Sequence, residues 1–386
     1  SSSIANYQTV INQIVYNNIS SNPNTTNRII SFIVNDGANN SNTATTTISI
    51  TADDDAPIID LDNTTAGNNF ATSFTEDVNS NLPITNNTTI TDVDNTNMTS
   101  ATITLTNNLD GITDENIALT AAQITAADGL GITVNVATNN VISLSGSSSI
   151  ANYQTVINQI VYNNTSQNPS TTNRSITVLI NDGTANSNTA TTTISINPVN
   201  DISVVTLDNT SSFTEGNTNL SVINNLTITD SDNTTLNAAS VTLTNNLDGI
   251  TNEKISLTTT QINDAFNDFG ITIDISTDNV ISLSGNSLIA NYQTVMSQIV
   301  YNNTSDNPNT TNRTLDIVVN DGTANSTTVS STISMGAIND APIIDLDNTT
   351  AGNNFATSFT EDNPAIAISN AATITDVDNA NMTSAT

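Results

Sequence analysis

The chain has 386 residues, with 36 acidic side chains against four basic ones, no histidine and no cysteine, giving a formal net charge of −32. That surplus repels phosphate backbones and anionic lipid, which argues against nucleic-acid binding and membrane-surface docking and makes cations the natural partners. Without His or Cys the usual general bases, nucleophile pairs, zinc sites and disulfides cannot be assembled, and no run of 18 apolar residues predicts a membrane insertion.

The string IANYQTV starts at Ile4, Ile150 and Ile289, and APIIDLDNTTAGNNFATSFTED starts at Ala56 and again at Ala341. A unit of 146 and then 139 residues is therefore tiled along the whole chain. Repetition at such a period points to a structural module whose role is length, stiffness or multivalency. The period predicts four segments: 1–53, the C-terminal part of a repeat; 54–199 and 200–339, two complete repeats; and 340–386, the N-terminal part of another. This organisation is expected of a window within a longer tandem array.

Within the reference repeat the elements follow in chain order. Ser100–Thr106 alternates Thr with Ile and Leu, the pattern of a strand buried on one face. Gly131–Ala137 repeats the pattern. From Ile150 to Ile160 the apolar residues at 150, 153, 156, 157 and 160 follow helical spacing, which predicts one short helix per repeat feeding a strand at Val161–Tyr162. Asn-Asp-Gly at 35, 181 and 320 predicts a hairpin turn in each copy. Thr191–Ile196 is a further strand. Asn, Asp, Gly and Ser clusters separate these runs, and Pro57, Pro83, Pro169 and Pro198 fall at junctions and loops. The expected fold is all-β: tandem β-sandwich repeats of about 140 residues, each with one short helix, arranged as an elongated rod.

The acids recur at fixed offsets. Asp53-Asp54-Asp55, Asn200-Asp201 and Asn339-Asp340 mark the junctions. Asp60 and Asp62 follow, then Glu76 with Asp77, then Asp92-Val93-Asp94-Asn95. The next repeat has Asp208, Glu215, Asp230, Asp232 and Asn233, and the last segment has Asp345, Asp347, Glu361, Asp362, Asp376, Asp378 and Asn379. Asp-x-Asp on an extended chain directs both carboxylates to one side, and a strand-end Glu adds a further ligand. Calcium takes six to eight such hard oxygens. Two readings fit: calcium bridges at the junctions, or acids that merely solvate an exported fibre.

The junction, the strand-end Thr-Glu-Asp, the Asp-x-Asp-Asn loop and the run Tyr-Gln…Ile-x-Tyr-x-Asn…Asn-Pro…Arg…Asn-Asp-Gly resemble the cadherin-like and Ig-like extender repeats of large prokaryotic surface proteins and adhesins. The resemblance covers essentially the entire chain. It implies tandem sandwiches with calcium ions at the junctions, and carried onto this chain it makes the junction acids, Glu76, Glu215, Glu361 and the Asp-x-Asp pairs ligands. Departures are visible: Gly216 stands where Asp77 would be, Thr206 stands where Asp60 would be, and 200–339 lacks seven residues of the loop between Asp62 and Glu76.

Arg28, Arg174 and Arg313 occupy one repeated position, where each is expected to pair with an acid of its own repeat. Tyr16, Tyr162 and Tyr301 are expected core anchors. Sequons include Asn63, Asn87, Asn97, Asn164, Asn209, Asn233, Asn303 and Asn348. The single Lys254 has no counterpart, which excludes a repeated Lys–Asn cross-link. Paired carboxylates can hydrolyse glycosides, yet catalysis in every repeat is implausible. The expected function is a non-enzymatic, calcium-rigidified region of an extracellular, cell-surface adhesin or filament. Its partners are calcium ions, neighbouring repeats and, in a filament, identical chains. The alternative is a module that binds glycans or ice through exposed Thr-rich strands.

Overall fold

Strands form where β-branched residues alternate. Arg174–Asn181 and Ala190–Asn197 bury every second side chain and leave the intervening ones partly or fully exposed. In this computed structural model, which describes every residue except Asn209, the chain divides into two units, Ser1–Val199 and Asn200–Thr386. The sequon at Asn209 lies outside the described residues.

In the first unit a six-stranded sheet runs in the order Phe70–Thr75, Ala190–Asn197, Arg174–Asn181, Asn97–Leu105, Val141–Ser149, Thr133–Asn135. Its pairs are antiparallel except the first, which is parallel. A three-stranded sheet, Leu82–Pro83, Val161–Asn164 and Glu115–Ala118, faces it, and Ile58–Asp60 pairs with Thr89–Thr91. Pro83 sits on the sheet edge, where a missing amide costs no ladder bond. Phe74 of the larger sheet meets Tyr162 of the smaller one edge to face, with centroids 5.5 Å apart, across a core of Ile, Leu and Val. The architecture is an all-β sandwich.

The predicted helix is present at Ile150–Ile157, capped by the Ser149 hydroxyl and burying Tyr153, Val156 and Ile157. A second helix, absent from the sequence expectation of one per repeat, spans Ala121–Gly129. It buries only Ala127, so it carries almost no apolar stripe; a capping box of Thr120 and Gln123 starts it instead. The strand Val141–Ser149 shifts register between Ser145 and Ser148, at Gly146. A Cβ there would meet the Gly131 carbonyl oxygen at 2.2 Å, and the Gly146 carbonyl accepts from the Tyr153 hydroxyl at 2.7 Å, so glycine seats the helix on the sheet.

The second unit repeats this order with strands Thr210–Thr214, Val329–Gly336, Arg313–Asn320, Thr235–Leu243, Val280–Leu288 and Thr272–Asp274 opposite Leu220–Ser221, Val300–Asn303 and Glu253–Ser256. Its helices are Thr259–Phe269 and Ile289–Met296. The terminal segments are sparser. Residues 1–53 form the helix Ile4–Ile11 and the hairpin Arg28–Phe32 with Ala44–Ile48, and residues 340–386 pair Ile343–Asp345 with Thr373–Thr375.

Arg174 is fully buried. Its Nε donates to Glu115 Oε1 and its Nη2 to Asp110 Oδ2 at 2.5 Å, while the Tyr162 hydroxyl donates to Glu115 at 2.6 Å and Asn164 to Asp110 at 2.7 Å. Arg313 makes the same set with Glu253, Asp248, Tyr301 and Asn303. Burial, reinforced by the neighbouring Glu carboxylate, pushes both tyrosine hydroxyls far up, so they remain donors. Arg28 instead donates to the carbonyls of Asn24, at 3.0 Å, and Thr26. Tyr16 is 40 % exposed, unlike its buried counterparts.

Candidate metal site

The acids gather at the two ends of a repeat. At the N-terminal end of 54–199, the Asp92-Val93-Asp94-Asn95 loop follows the strand Thr89–Thr91 and folds on Asp92 itself: Oδ1 accepts from the amides of Asp94 at 2.9 Å and Asn95 at 2.7 Å. That turn presents Asp94 to the junction, where Oδ2 accepts from the Asp55 amide at 2.7 Å, and Asn95 donates to Asp54 at 3.0 Å. Asp53 is exposed beside them. Asp92 Oδ2 and Asp94 Oδ1 are buried and receive no hydrogen bond.

The equivalent turn in 200–339 is folded the same way on Asp230 and presents Asp232 to the Asp201 amide at 2.6 Å. Two donors are added. The Ser203 hydroxyl reaches Asp230 Oδ2 at 2.7 Å, and the Asn200 amide reaches Asp321 Oδ2 at 2.9 Å, while Asn233 donates to Asn200 at 3.4 Å. In the last segment the Asp340 amide donates to Asp378 and Asn379 donates to Asn339 at 2.8 Å, with Asp376 again closing the turn; Asp340 Oδ2 is buried without a partner.

Asp321 and its counterpart Asp182 belong to the Asn-Asp-Gly hairpins, which the sequence marks as turns only. Each Oδ1 caps two loop amides, at 2.7 and 2.8 Å from Asp182 and at 2.6 and 2.7 Å from Asp321. The second oxygen of Asp321 accepts from Asn200, whereas Asp182 Oδ2 is buried without a partner. Burial raises the Asp321 carboxyl, but the Asn200 amide and the amides of Ala324 and Thr323 outweigh it and hold the group below the ordinary value. The recurrence of Asp at this position in all three copies was the signal available in the sequence.

At the opposite end, Glu76 closes the strand Phe70–Thr75. Its amide donates to Asn197, and its Oε2 accepts from the Val199 amide at 2.8 Å. Asp77 follows at φ +56°, as do Gly216 at +77° and Asp362 at +71°. The left-handed turn explains why glycine can replace Asp77: the backbone, rather than the carboxylate, fixes the position. Glu215 likewise accepts from the Ile338 amide at 2.8 Å. It opens onto a cleft of about 430 Å³ that also includes Asn303, Asp306 and Asp340, so a strand-end Glu and the first acid of the following segment share one cavity. Glu361 and Asp362 are exposed.

Asp60 and Asp62 form a separate hydrogen-bonded set. Asp62 accepts from the hydroxyls of Thr64 and Thr65 and from Asn86, at 2.6, 3.1 and 2.9 Å, and its own amide donates to Asp60. The Thr64 hydroxyl is the main reason the Asp62 carboxyl lies below its usual value. Asp347 repeats this with Thr349, Thr350 and Asn370, and its amide donates to Asp345. Asp208 is exposed and accepts from Asn225 at 2.8 Å.

The donors present are hard oxygens, and several are buried without a hydrogen, a condition costly for a carboxylate unless a cation compensates it. They fit a divalent hard cation in kind. Among the described residues, no three acidic side chains stand close enough together in this conformation to hold one.

No family model matches the chain, and no curated protein matches its sequence. Among solved structures the chain is similar to mouse cadherin-23 EC22-24, at 12 % identity over 85 % of this chain and 79 % of that one, with a TM-score of 0.32. It is also similar to human CDH23 EC21-23, at 13 % identity, 85 % and 82 % coverage and a TM-score of 0.29. A third is human mucin-like protocadherin EC1-2, at 14 % identity, 70 % and 96 % coverage and a TM-score of 0.26. Among the described residues no helix is long and apolar enough to cross a membrane.

Proposed function

We propose that this chain is a non-enzymatic run of tandem repeats, 54–199 and 200–339 complete and 1–53 and 340–386 partial, stiffened by calcium within an extracellular adhesin or surface filament. The observation that carries the reading is the set of buried carboxylate oxygens on Asp92, Asp94, Asp182 and Asp340 that receive no hydrogen bond. A chain with 36 acids and four basic residues has almost nothing of its own to neutralise them. The resemblance of the sequence to prokaryotic extender repeats supports the same reading.

The ligands proposed at the N-terminal end of each repeat are the Asp-x-Asp-Asn loops and the junction residues, with Asp182 and Asp321 added. Glu76, Glu215 and Glu361, with their neighbours, are proposed at the opposite end. Calcium supplies charge neutralisation and a multidentate bond to hard oxygens. The residues of the chain do the rest: Asp92 and Asp230 fold the loop that presents Asp94 and Asp232, and the amides of Val199 and Ile338 hold one oxygen of Glu76 and Glu215.

Calorimetry and small-angle scattering of the whole chain in calcium and in EGTA test this. Each independent site at a hundredfold excess over Kd adds about 2.7 kcal/mol, so calcium should raise the melting temperature and the radius of gyration together. An identical melt and an identical scattering curve in the two buffers would overturn the proposal.

A further inference from the structure

The Ser-x-Asn-Pro loops make a contact that no metal is needed to explain. The Asn307 side-chain amide donates to the Val377 carbonyl at 2.9 Å, 70 residues away, and Asn22 donates to the Val93 carbonyl at 2.9 Å, 71 residues away. Each contact lies within one of the two units, and the two match in donor, acceptor and length. Val93 and Val377 are the central residues of Asp92-Val93-Asp94 and Asp376-Val377-Asp378, so the amide reaches the backbone between the two carboxylates without taking an oxygen from either.

The donor loop is prepared for this. Pro308 is buried and restrains Asn307 to extended backbone angles. The Asn307 amide nitrogen donates to Ser305 Oγ at 3.2 Å, and the Ser305 amide to Asn303 Oδ1 at 2.9 Å. Asn303 in turn donates to Asp248, the partner of the buried Arg313. A continuous chain of hydrogen bonds thus runs from the core of 200–339 to the loop of 340–386. In the first unit the Ser20 amide donates to Asn18 at 3.0 Å, and Asn22 makes the same final contact.

We infer that Asn22 and Asn307 are metal-independent latches, by which the Ser-x-Asn-Pro loop of one repeat seats the Asp-x-Asp loop of the next and holds its carboxylates ready before any cation arrives. The inference rests on the tandem-repeat part of the reading above and not on calcium.

The absence of cysteine allows spin labels at Asn267→Cys and Thr357→Cys, exposed positions in the two segments that the Asn307 contact joins. Distances are measured on the full chain in EGTA and in calcium, with and without Asn307→Ala. A latch predicts a narrow distribution in EGTA that broadens in Asn307→Ala, while the core melt is unchanged. If calcium binds, its apparent affinity in the variant should fall roughly two- to tenfold, as loss of one hydrogen bond allows. Labels across the Asn22–Val93 contact with Asn22→Ala give an independent second variant. A broad distribution in metal-free wild type, or one that Asn307→Ala leaves unaltered, would overturn the latch whatever calcium does. If the variant broadens in EGTA but calcium changes neither sample, the latch stands and the calcium reading fails.

Discussion

The acid end of 54–199 and that of 200–339 share a fold and an arrangement of acids but not an electrostatic state. In the second, Ser203 satisfies Asp230 and Asn200 satisfies Asp321. In the first, Pro57 and Asp54 occupy those two places, and Asp92 Oδ2 and Asp182 Oδ2 are left buried without a hydrogen. Proline has no hydroxyl to give, and aspartate adds a negative charge where asparagine supplied an amide. Those two positions therefore decide whether the buried oxygens of the neighbouring carboxylates are satisfied. The buried arginine network shows the opposite behaviour: it is the same in both repeats, and it gives the baseline against which their difference is measured.

The largest expected effect breaks that baseline. Arg174→Met leaves Glu115 and Asp110 buried and uncompensated, and removal of one partner from such a pair costs about 3–5 kcal/mol. Residue-resolved hydrogen exchange should show the protection of 54–199 collapsing while that of 200–339 persists. Arg28→Met, at the same repeated position but bound to carbonyls alone, should change stability by under about 0.5 kcal/mol. Equal effects at the two positions would show that the ion pairs do not hold the sandwich together.

Exchange of the two flanking residues sharpens the contrast between the acid ends. Asp54→Asn with Pro57→Ser gives the first repeat the donors of the second and should stabilise its metal-free form by about 1–3 kcal/mol, the cost of an unpaired buried group. Asn200→Asp with Ser203→Pro should destabilise metal-free 200–339 comparably and make it the more chelator-sensitive repeat. Urea titrations in EGTA, followed by NMR signals from each repeat, measure both. Unchanged midpoints would mean that the unpartnered oxygens carry no energetic weight.

Local pattern made much of this legible. Alternating Thr and Ile mark the strands, the 150–157 helix announces itself by its spacing, and the repeated arginine asks for an acid in a chain so poor in bases. The identity of that acid was not legible, because Asp110 and Glu115 lie 64 and 59 residues before Arg174. The helix Ala121–Gly129 escaped because it has hardly any apolar face, though Thr120-x-x-Gln123 was there to be seen. Asp182 looked complete as a turn residue; that its second oxygen is buried without a hydrogen depends on where the sheet carries the hairpin. Asp60 and Asp62 were legible as an alternating pair, but the threonine hydroxyls that reach Asp62 depend on how the following loop folds back.

The smallest effect concerns that last group. Residues 56–77 and 341–362 are identical in sequence, and Asp62 and Asp347 are held the same way, their carboxyls lowered from 3.8 chiefly by the hydroxyls of Thr64 and Thr349. Asp208, in the shortened loop of the second repeat, has Asn225 beside it instead. A lowered folded value means that this stabilisation is full above the unfolded value of 3.8 and is lost as pH falls through the folded one. Carboxyl NMR titration should place Asp62 and Asp347 both below 3.8. Thr64→Ala should move Asp62 upward and leave Asp347 where it was, and the stability lost at neutral pH should disappear in acid, where both forms are protonated. If Asp62 titrates at or above 3.8, the hydroxyl is not what holds it.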